Sequence, residues 1–283
     1  MQNKQLSLEE VKKIELNILV EFSKFCNQHN LKYYLAYGTL LGAIRHNGFI
    51  PWDDDIDVIM PRPDYDKFIE LTGYNPIKEN LETRLYKNCL HPNIYPFAKV
   101  INKNTIVYEK GKAKKNISGL WIDIFPLDGY PEDKDTVEDH FNKYMKLRHL
   151  QDLATTNPFT IRQSLSKKII KTFFIAPFVK LTGIKNLCKK IDENAQIYSY
   201  NDFNLLSDFT WGDNLTSYIK KEELEPAVEV EFEGCKMKAP KGWKEYLTRL
   251  YGDYMQLPPE EDRIPHGFKA YKINNGYKND KKN

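Results

Sequence analysis

The sequence predicts an α+β protein, in which a mixed sheet flanked by helices is followed by a helical C-terminal half. Three observations lead to this prediction: an amphipathic helix near the start, short strand patterns between residues 31 and 125, and a helical pattern from about 134 to 200. Hydrophobic residues make up 41% and charged residues 29% of the 283 residues, a composition typical of a globular protein with a substantial core.

The first helix has a well-marked beginning at Ser7. This serine can cap the helix, and Glu10 completes a capping box. Apolar residues then recur at helical spacing, and the helix should end near Asn30. The elements predicted next are a strand over 31–36, a turn over 37–39, a short helix over 40–46, a strand over 55–60 and a helix over about 64–71.

Strand patterns continue in the middle of the chain and return near its end. The middle strands are predicted at 84–88, 95–101, 105–109 and 120–125, with a hairpin turn at 102–104. Later elements are a hairpin of 228–233 and 235–238 that turns at Gly234, and a helix over 243–250 that ends at Tyr251 and Gly252.

The chain length suits one domain with an elaborated part. We expect a single domain over residues 1–275, with a core at about 8–130, a helical elaboration at about 131–220 and a C-terminal part at about 221–275. Residues 276–283 are dominated by Lys, Asn and Asp and predict a disordered tail.

Charge and hydrophobicity limit the expected partners and location. The net charge is only +3, so nucleic acid is not an expected partner. The first residues lack the apolar core of a signal peptide, and no apolar run approaches the roughly 20 residues of a spanning helix. We therefore expect a cytoplasmic protein. The basic, apolar run at 167–180 could lie on an anionic membrane at its inner face, or could be a core helix kinked by Pro177.

The most informative pattern is a cluster of four aspartates: Asp53, Asp54, Asp55 and Asp57. If residues 55–60 form a strand, Asp55 and Asp57 point to one face, with Asp53 in phase and Asp54 pointing away. Two carboxylates one strand step apart form a hard-oxygen site for a divalent cation such as Mg²⁺. A solvated acidic turn is the alternative for an acidic run taken by itself.

Gly38 and Thr39 precede this cluster, at the start of a predicted helix that directly follows a strand. Helix N-termini offer free amides and a positive dipole end to phosphate. Glycine allows close backbone approach, and threonine adds a hydroxyl. A phosphate-binding helix N-terminus followed by an Asp-x-Asp strand suits an enzyme that acts on a nucleotide diphosphate with a metal ion.

The run from Tyr37 to Met60 closely resembles the LicD family, whose relatives include fukutin and fukutin-related protein. Further resemblance lies at 119–128 and 251–259, so that the similar part covers roughly residues 10–265. The resemblance implies a nucleotidyltransferase-like core and an Mg²⁺- or Mn²⁺-dependent phosphotransferase. Such enzymes move a phosphoalcohol, typically phosphocholine from CDP-choline, to a hydroxyl of a cell-surface glycan or its lipid-linked precursor, with release of CMP. The glycan can belong to lipopolysaccharide, teichoic acid or capsule, and some relatives use CDP-ribitol or CDP-glycerol.

The resemblance also assigns residues. Gly38 and Thr39 match the position that holds phosphate, Asp55 and Asp57 match the paired metal ligands, and Asp123 matches a third carboxylate on a neighbouring strand. Asp123 could complete the metal site or take the proton of the acceptor hydroxyl. An aspartate inside an apolar strand is costly unless it is paired or metal-bound, which supports a functional role.

Four other charged residues have two interpretations each. Arg45 could contact phosphate or pair with an acidic neighbour, and Lys99 could reach the diphosphate or be an ordinary lysine on a half-exposed strand. His46 and His266 are better explained as surface or capping residues than as bases.

A choline substrate would require aromatic side chains around its ammonium group, because a quaternary ammonium has no hydrogen-bond donor and binds π faces. The chain has 18 Tyr and 4 Trp, including Trp52, Trp121 and Trp211. Core packing explains these aromatics equally well.

Two other functions remain open from the sequence. A nucleotidyltransferase that adds a nucleotide to a small acceptor would use the same fold but release pyrophosphate. A non-enzymatic calcium-binding protein is the third possibility, although the acidic run lacks the spacing and central glycine of an EF-hand loop.

Overall fold

The computed structural model describes residues 4–87, 93–110, 112, 118–156, 183–264 and 267–273. The predicted tail at 276–283, the basic run at 167–180 and His266 lie outside the described residues. None of the helices in the described ranges has the length and apolarity needed to cross a membrane.

The described residues form a mixed α/β structure. Its helices are α1 (Leu8–Gln28), α2 (Tyr37–His46), α3 (Arg62–Tyr74), α4 (Lys134–Thr155), α5 (Ile184–Ala195), α6 (Lys221–Leu224) and α7 (Trp243–Tyr251), with a 3-10 helix at Glu260–Asp262. Its strands are β1 (Lys4–Gln5), β2 (Tyr34–Leu35), β3 (Asp57–Pro61), β4 (Leu81–Arg84), β5 (Ala98–Asn102), β6 (Thr105–Glu109), β7 (Trp121–Tyr130), β8 (Leu205–Ser207), β9 (Tyr218–Lys220), β10 (Val228–Phe232), β11 (Cys235–Ala239) and β12 (Phe268–Lys272).

The central sheet has the strand order β2-β3-β7-β5-β4, and β8 and β9 extend it from the far end of β7. β3 and β7 are parallel, whereas β5 runs antiparallel to β7. α1 packs across β5 and β7, and its Ile18, Leu19 and Phe22 are fully buried in the main core. Burial of these large apolar side chains is the main stabilising contribution to the sheet–helix arrangement.

Several sequence predictions are confirmed. α1 begins with the predicted capping box, in which Ser7 and Glu10 exchange hydrogen bonds. β10 and β11 form the predicted hairpin at Gly234, and α7 ends at Gly252 as predicted. These elements carry strong local signals, so their sequences suffice to define them.

The predicted turn at 37–39 is wrong, because these residues form the first turn of α2. Ala36 donates its N–H to the carbonyl oxygen of Asp57, and its own carbonyl oxygen accepts from Leu40. The helix therefore begins directly where β2 ends. Tyr37 takes a left-handed backbone conformation (φ 46°) to make this sharp entry.

The predicted hairpin around 102–104 is also wrong. β5 has β4 on one edge and β7 on the other, so neither edge is left for β6. β6 pairs instead with β12 in a separate three-stranded sheet with β1. The predicted strand at 84–88 is shifted, because β4 ends at Arg84.

The predicted helical C-terminal half is only partly observed. α4 and α5 account for the helical pattern, but residues 205–272 contain the five strands β8 to β12. β10 and β11 are the predicted hairpin, whereas β8 and β9 have three residues each, too few to leave a clear alternating pattern in the sequence.

Candidate functional site

A row of three charged side chains crosses the central sheet. Asp57 on β3 lies opposite Asp123 on β7, and Asp123 lies opposite Lys99 on β5. Side chains in register on neighbouring strands point to the same face of a sheet. The ammonium of Lys99 lies 3.0 Å from Oδ1 of Asp123, so the two form a buried ion pair.

A cavity of about 400 Å³ opens beside the acidic part of this row, and we call it the acidic cavity. Asp53, Asp55, Asp57 and Asp123 all line it. Asp54 is 5% exposed and does not line it, as the predicted alternation requires. Regular pairing begins only at Asp57, two residues later than the predicted start of the strand, yet Asp55 still faces the same cavity.

The carboxylates of the acidic cavity repel one another at close range. Burial raises the pKa of Asp57 well above its ordinary value, and Asp55, Asp123 and Asp53 raise it further. Burial also raises the pKa of Asp123, while the neighbouring Lys99 opposes that rise. A cation bound in the cavity would relieve this repulsion and favour the ionised carboxylates.

The carboxylates of the acidic cavity limit which kind of metal ion could bind there. Within the described ranges, no group of three or more His, Cys, Asp or Glu side chains is arranged to hold a metal ion. Mg²⁺ commonly keeps several waters and binds through one or two carboxylates together with phosphate oxygens of the substrate. Asp55 and Asp57 suit that mode, whereas Asp123, the third ligand expected from the sequence, is paired with Lys99.

The N-terminus of α2 meets the same cavity. Gly38 lines it, and no side chain caps the first turn of the helix. A Cβ atom at Gly38 would lie 2.9 Å from Oδ2 of Asp53, closer than real Cβ contacts. Glycine at this position thus lets the amide end of a helix lie against the acidic cluster, where it can accept a phosphate group.

Thr39 makes a contact that the sequence did not predict. Its side chain is buried and does not line the cavity. Its Oγ1 accepts a hydrogen bond of 2.8 Å from the backbone N–H of Asp57. Thr39 therefore fixes the position of Asp57, and its contact with phosphate stays a prediction.

The structure does not bring Arg45 to the cavity either. Arg45 lies in the last turn of α2, about 10 Å along the helix from the N-terminal end that faces the cavity. Its Nη1 donates to the carbonyl oxygen of Tyr254 at 2.9 Å, and its Nε lies 3.0 Å from Nε2 of His46. Arg45 thus anchors the segment that follows α7 through backbone carbonyl oxygens and not through an acidic side chain, and its contact with phosphate stays a prediction.

Sequence reasoning did not assign the opposite wall of the cavity, to which Asp208, Trp211, Ser217 and Tyr251 contribute. Oδ1 of Asp208 accepts hydrogen bonds from the backbone N–H groups of Thr210 and Trp211 at 2.7 and 3.1 Å. The hydroxyl of Tyr37 lies 3.5 Å from Oδ2 of the same carboxylate. One signal could have found Asp208: it is an aspartate that directly follows the strand β8, next to apolar residues of the sequence.

Comparisons with known proteins show similarity to one family. Residues 30–163 match the family described as LicD/FKTN/FKRP, nucleotidyltransferase domain, a range that includes the whole charged row. The chain is 33% identical over 264 residues to the lipopolysaccharide cholinephosphotransferase LicD of Haemophilus influenzae. The aligned residues cover 93% of this chain and 97% of that protein. It is also 31% identical over 142 residues to an uncharacterized protein of Rickettsia prowazekii, covering 45% of this chain and 47% of that protein.

Proposed function

The chain belongs to the LicD family, and we propose that it transfers phosphocholine from CDP-choline to a hydroxyl of a cell-surface glycan, with release of CMP. The observation that carries this proposal is the acidic cavity, in which the uncapped start of α2 at Gly38 faces the carboxylates of Asp55 and Asp57. The transferred group and the lipopolysaccharide acceptor follow the activity in the name of the Haemophilus influenzae relative.

In the proposed reaction the donor diphosphate lies against the first turn of α2. The free amides at Gly38 bind phosphate oxygens, and the absence of a side chain at that position allows the contact. Asp55 and Asp57 would hold Mg²⁺ or Mn²⁺ in the acidic cavity. When bound, such an ion neutralises the charge that develops on the departing CMP phosphate.

The acceptor hydroxyl attacks the phosphorus that carries the choline ester, and the bond from that phosphorus to the oxygen of CMP breaks. CMP leaves with the electron pair, and the proton of the hydroxyl must go to a base. We assign this step to Asp123. Its pKa is raised by burial, which strengthens it as a base, and Lys99 holds its carboxylate in place.

The acceptor belongs to a glycan or to its lipid-linked precursor under this proposal. Such a precursor would place the reaction at the inner face of the membrane. The basic run at 167–180, which could contribute that contact, lies outside the described residues.

The products of a purified-enzyme assay test the proposed reaction. The protein is incubated with Mg²⁺, a truncated lipooligosaccharide and, in separate reactions, CDP-choline, CDP-ethanolamine, CDP-glycerol and CDP-ribitol. We expect CMP release and a gain of one phosphocholine per acceptor with CDP-choline, both dependent on the acceptor. Pyrophosphate release from a nucleoside triphosphate, with a nucleotide attached to the acceptor, would instead identify a nucleotidyltransferase.

A further inference from the structure

A second cavity, of about 220 Å³, adjoins the acidic cavity. We call it the aromatic cavity, because its walls include the rings of Tyr95, Phe97, Trp121, Trp211 and Phe268. Asp55, Asp123 and Trp211 line both cavities, so the two spaces share one wall. A molecule whose phosphate groups lie in the acidic cavity can therefore extend a short group into the aromatic cavity.

The rings of this cavity already hold a cation. The ammonium of Lys99 lies 4.0 Å from the ring centroid of Trp121 and 4.2 Å from that of Tyr95. Both distances are within the roughly 6 Å over which a cation is attracted to a ring face. The same ammonium is 3.0 Å from Asp123, which draws it towards the wall shared with the acidic cavity.

An acidic side chain accompanies the rings. Glu109 lines the aromatic cavity and accepts a hydrogen bond from the hydroxyl of Tyr95. Lys110 also lines the cavity, but it is exposed and can direct its charge to solvent. Aromatic faces beside a carboxylate match a quaternary ammonium, which is cationic, has an apolar surface and offers no hydrogen-bond donor.

We propose that the aromatic cavity binds the trimethylammonium group of the CDP-choline donor, and that Trp211, Phe268 and Glu109 determine the preference for choline. This inference rests on the proposed function. Choline places two carbon atoms between its phosphate ester oxygen and its nitrogen, a length suited to two cavities that share a wall. Trp211 is held at that wall by Asp208, whose carboxylate accepts from its backbone N–H at 3.1 Å.

Binding measurements on head-group variants test this assignment. Calorimetric titrations compare CDP-choline, CDP-ethanolamine and CMP on the wild type and on Trp211→Leu, Phe268→Leu and Glu109→Gln. Trp211 and Phe268 are only partly buried, so both variants should fold. Trp243→Leu is the matched control, because Trp243 is also a partly buried aromatic residue and lines neither cavity.

We expect Trp211→Leu and Phe268→Leu to raise the Kd of CDP-choline by roughly 2-fold to 30-fold, the range of cation–π contributions. Phe268→Leu should leave the Kd of CMP, which has no head group, unchanged, whereas Trp211→Leu should affect CMP less than CDP-choline, because Trp211 lines both cavities. In both variants the change for CDP-ethanolamine should be smaller. Glu109→Gln should also weaken CDP-choline, and Trp243→Leu should change none of the three. The assignment is wrong if the cavity variants bind CDP-choline as the wild type does, or if they lose CMP affinity to the same extent.

A second comparison shows whether the aromatic cavity recognises the charge of choline or only its shape. It also distinguishes failure of this inference from failure of the proposed function. Choline and its neutral carbon isostere, neohexyl alcohol, are tested as competitors of CDP-choline binding. Choline should compete better with the wild type, and this advantage should disappear in Trp211→Leu; equal competition by both compounds would show a merely apolar cavity. If the proposed function is wrong, binding of CDP-choline should still depend on its head group, but no phosphocholine should be transferred to an acceptor.

Discussion

At the scale of single residues, the ionisation of Asp123 depends on Lys99. Asp123 is buried in a strand of apolar neighbours, and burial raises its pKa. The ammonium of Lys99, 3.0 Å away, lowers that pKa because it stabilises the charged carboxylate. Only the ionised form of Asp123 can take a proton from the acceptor hydroxyl. In the proposed reaction, the ion pair with Lys99 therefore favours the form of Asp123 that can act as the base.

Replacing Lys99 with Met should therefore change the pH dependence of transfer. Without the ammonium the pKa of Asp123 rises, so the acidic limb of the rate profile should move to higher pH. The measurement is kcat for CDP-choline across pH in the wild type and in Lys99→Met. An unshifted acidic limb in an active variant would exclude Asp123 as the base.

Glu15 illustrates how the site affects stability. This residue of α1 is fully buried, and among the described residues neither of its carboxyl oxygens has a hydrogen-bond partner. Burial raises the pKa of Glu15 well above its ordinary value of 4.5, and Asp55 and Asp54 raise it further. The folded protein therefore favours the protonated form of Glu15.

The free energy of unfolding of the wild type should reflect this preference when it is compared with that of Glu15→Gln, whose side chain cannot ionise. A raised folded-state pKa gives a contribution that is fully present below the unfolded pKa and is lost as pH rises through the folded pKa. The wild type should thus lose stability relative to Glu15→Gln as pH increases above about 4.5. Denaturant unfolding with a chelator present measures the difference. A wild-type stability that, relative to Glu15→Gln, stays constant or increases with rising pH would contradict the prediction.

At the scale of secondary-structure elements, α2 connects the proposed phosphate-binding end of the site to the acidic strand. Gly38 lies against the side chain of Asp53, whereas Gly42 lies against the backbone where the chain passes from Gly48 to Ile50. A Cβ atom at Gly42 would be 2.4 Å from the carbonyl oxygen of Gly48. The first contact can be relieved by moving a side chain, and the second cannot.

The two glycines of α2 should consequently respond differently to alanine. Gly38→Ala should remain folded but lose transfer activity, because its methyl group displaces Asp53 and obstructs the helix amides. Gly42→Ala should lower the free energy of unfolding by about 1–3 kcal/mol, the usual cost of overpacking. Thermal unfolding and transfer rates measured on both variants test this contrast, which fails if Gly38→Ala keeps wild-type turnover.

A buried ion cluster joins three other elements. Arg62 of α3 donates to both carboxyl oxygens of Asp128 on β7 and to Oδ1 of Asp192 on α5, at 3.0 Å for the latter. All three side chains are less than one-tenth exposed. Removing the guanidinium would leave two buried carboxylates without their main partner.

Arg62→Leu should therefore lower the free energy of unfolding by roughly 3–5 kcal/mol, as expected when one partner of a buried ion pair is removed. Arg84→Leu is the matched control, because Arg84 forms a more exposed pair with Glu82 on its own strand. The control should change stability by at most about 1 kcal/mol. Equal effects in the two variants, measured by denaturant unfolding, would show that the cluster does not join these elements.

The sequence predicts elements well where their signals are local. The capping box of Ser7 and Glu10 and the turn at Gly234 each depend on a few adjacent residues, and both are confirmed. The pairing of β6 could not be predicted, because it depends on β12, which lies more than a hundred residues later in the chain. The roles of Thr39 and Arg45 depend on contacts with Asp57 and Tyr254, which the sequence does not show.

At the scale of the whole molecule, the acidic cavity is assembled from distant parts of the chain. The segment from Tyr37 to Asp57 and the start of β7 form one side, and both were found from sequence motifs. Residues 208–217 form the other side, because β8 pairs with the end of β7 at Asp128 and Ser207. That pairing is a tertiary property, which explains why Asp208 and Trp211 did not emerge as site residues.

The central claim is that the carboxylates of the acidic cavity support transfer of phosphocholine from CDP-choline. The most direct measurement is incorporation of labelled choline from CDP-choline into a lipooligosaccharide acceptor by the wild type, Asp55→Asn, Asp57→Asn and the control Asp54→Asn. Circular dichroism and thermal unfolding confirm that each variant is folded. We predict that the wild type and Asp54→Asn label the acceptor, and that Asp55→Asn and Asp57→Asn lose activity by at least about 100-fold. Wild-type turnover in folded Asp55→Asn or Asp57→Asn would contradict the account.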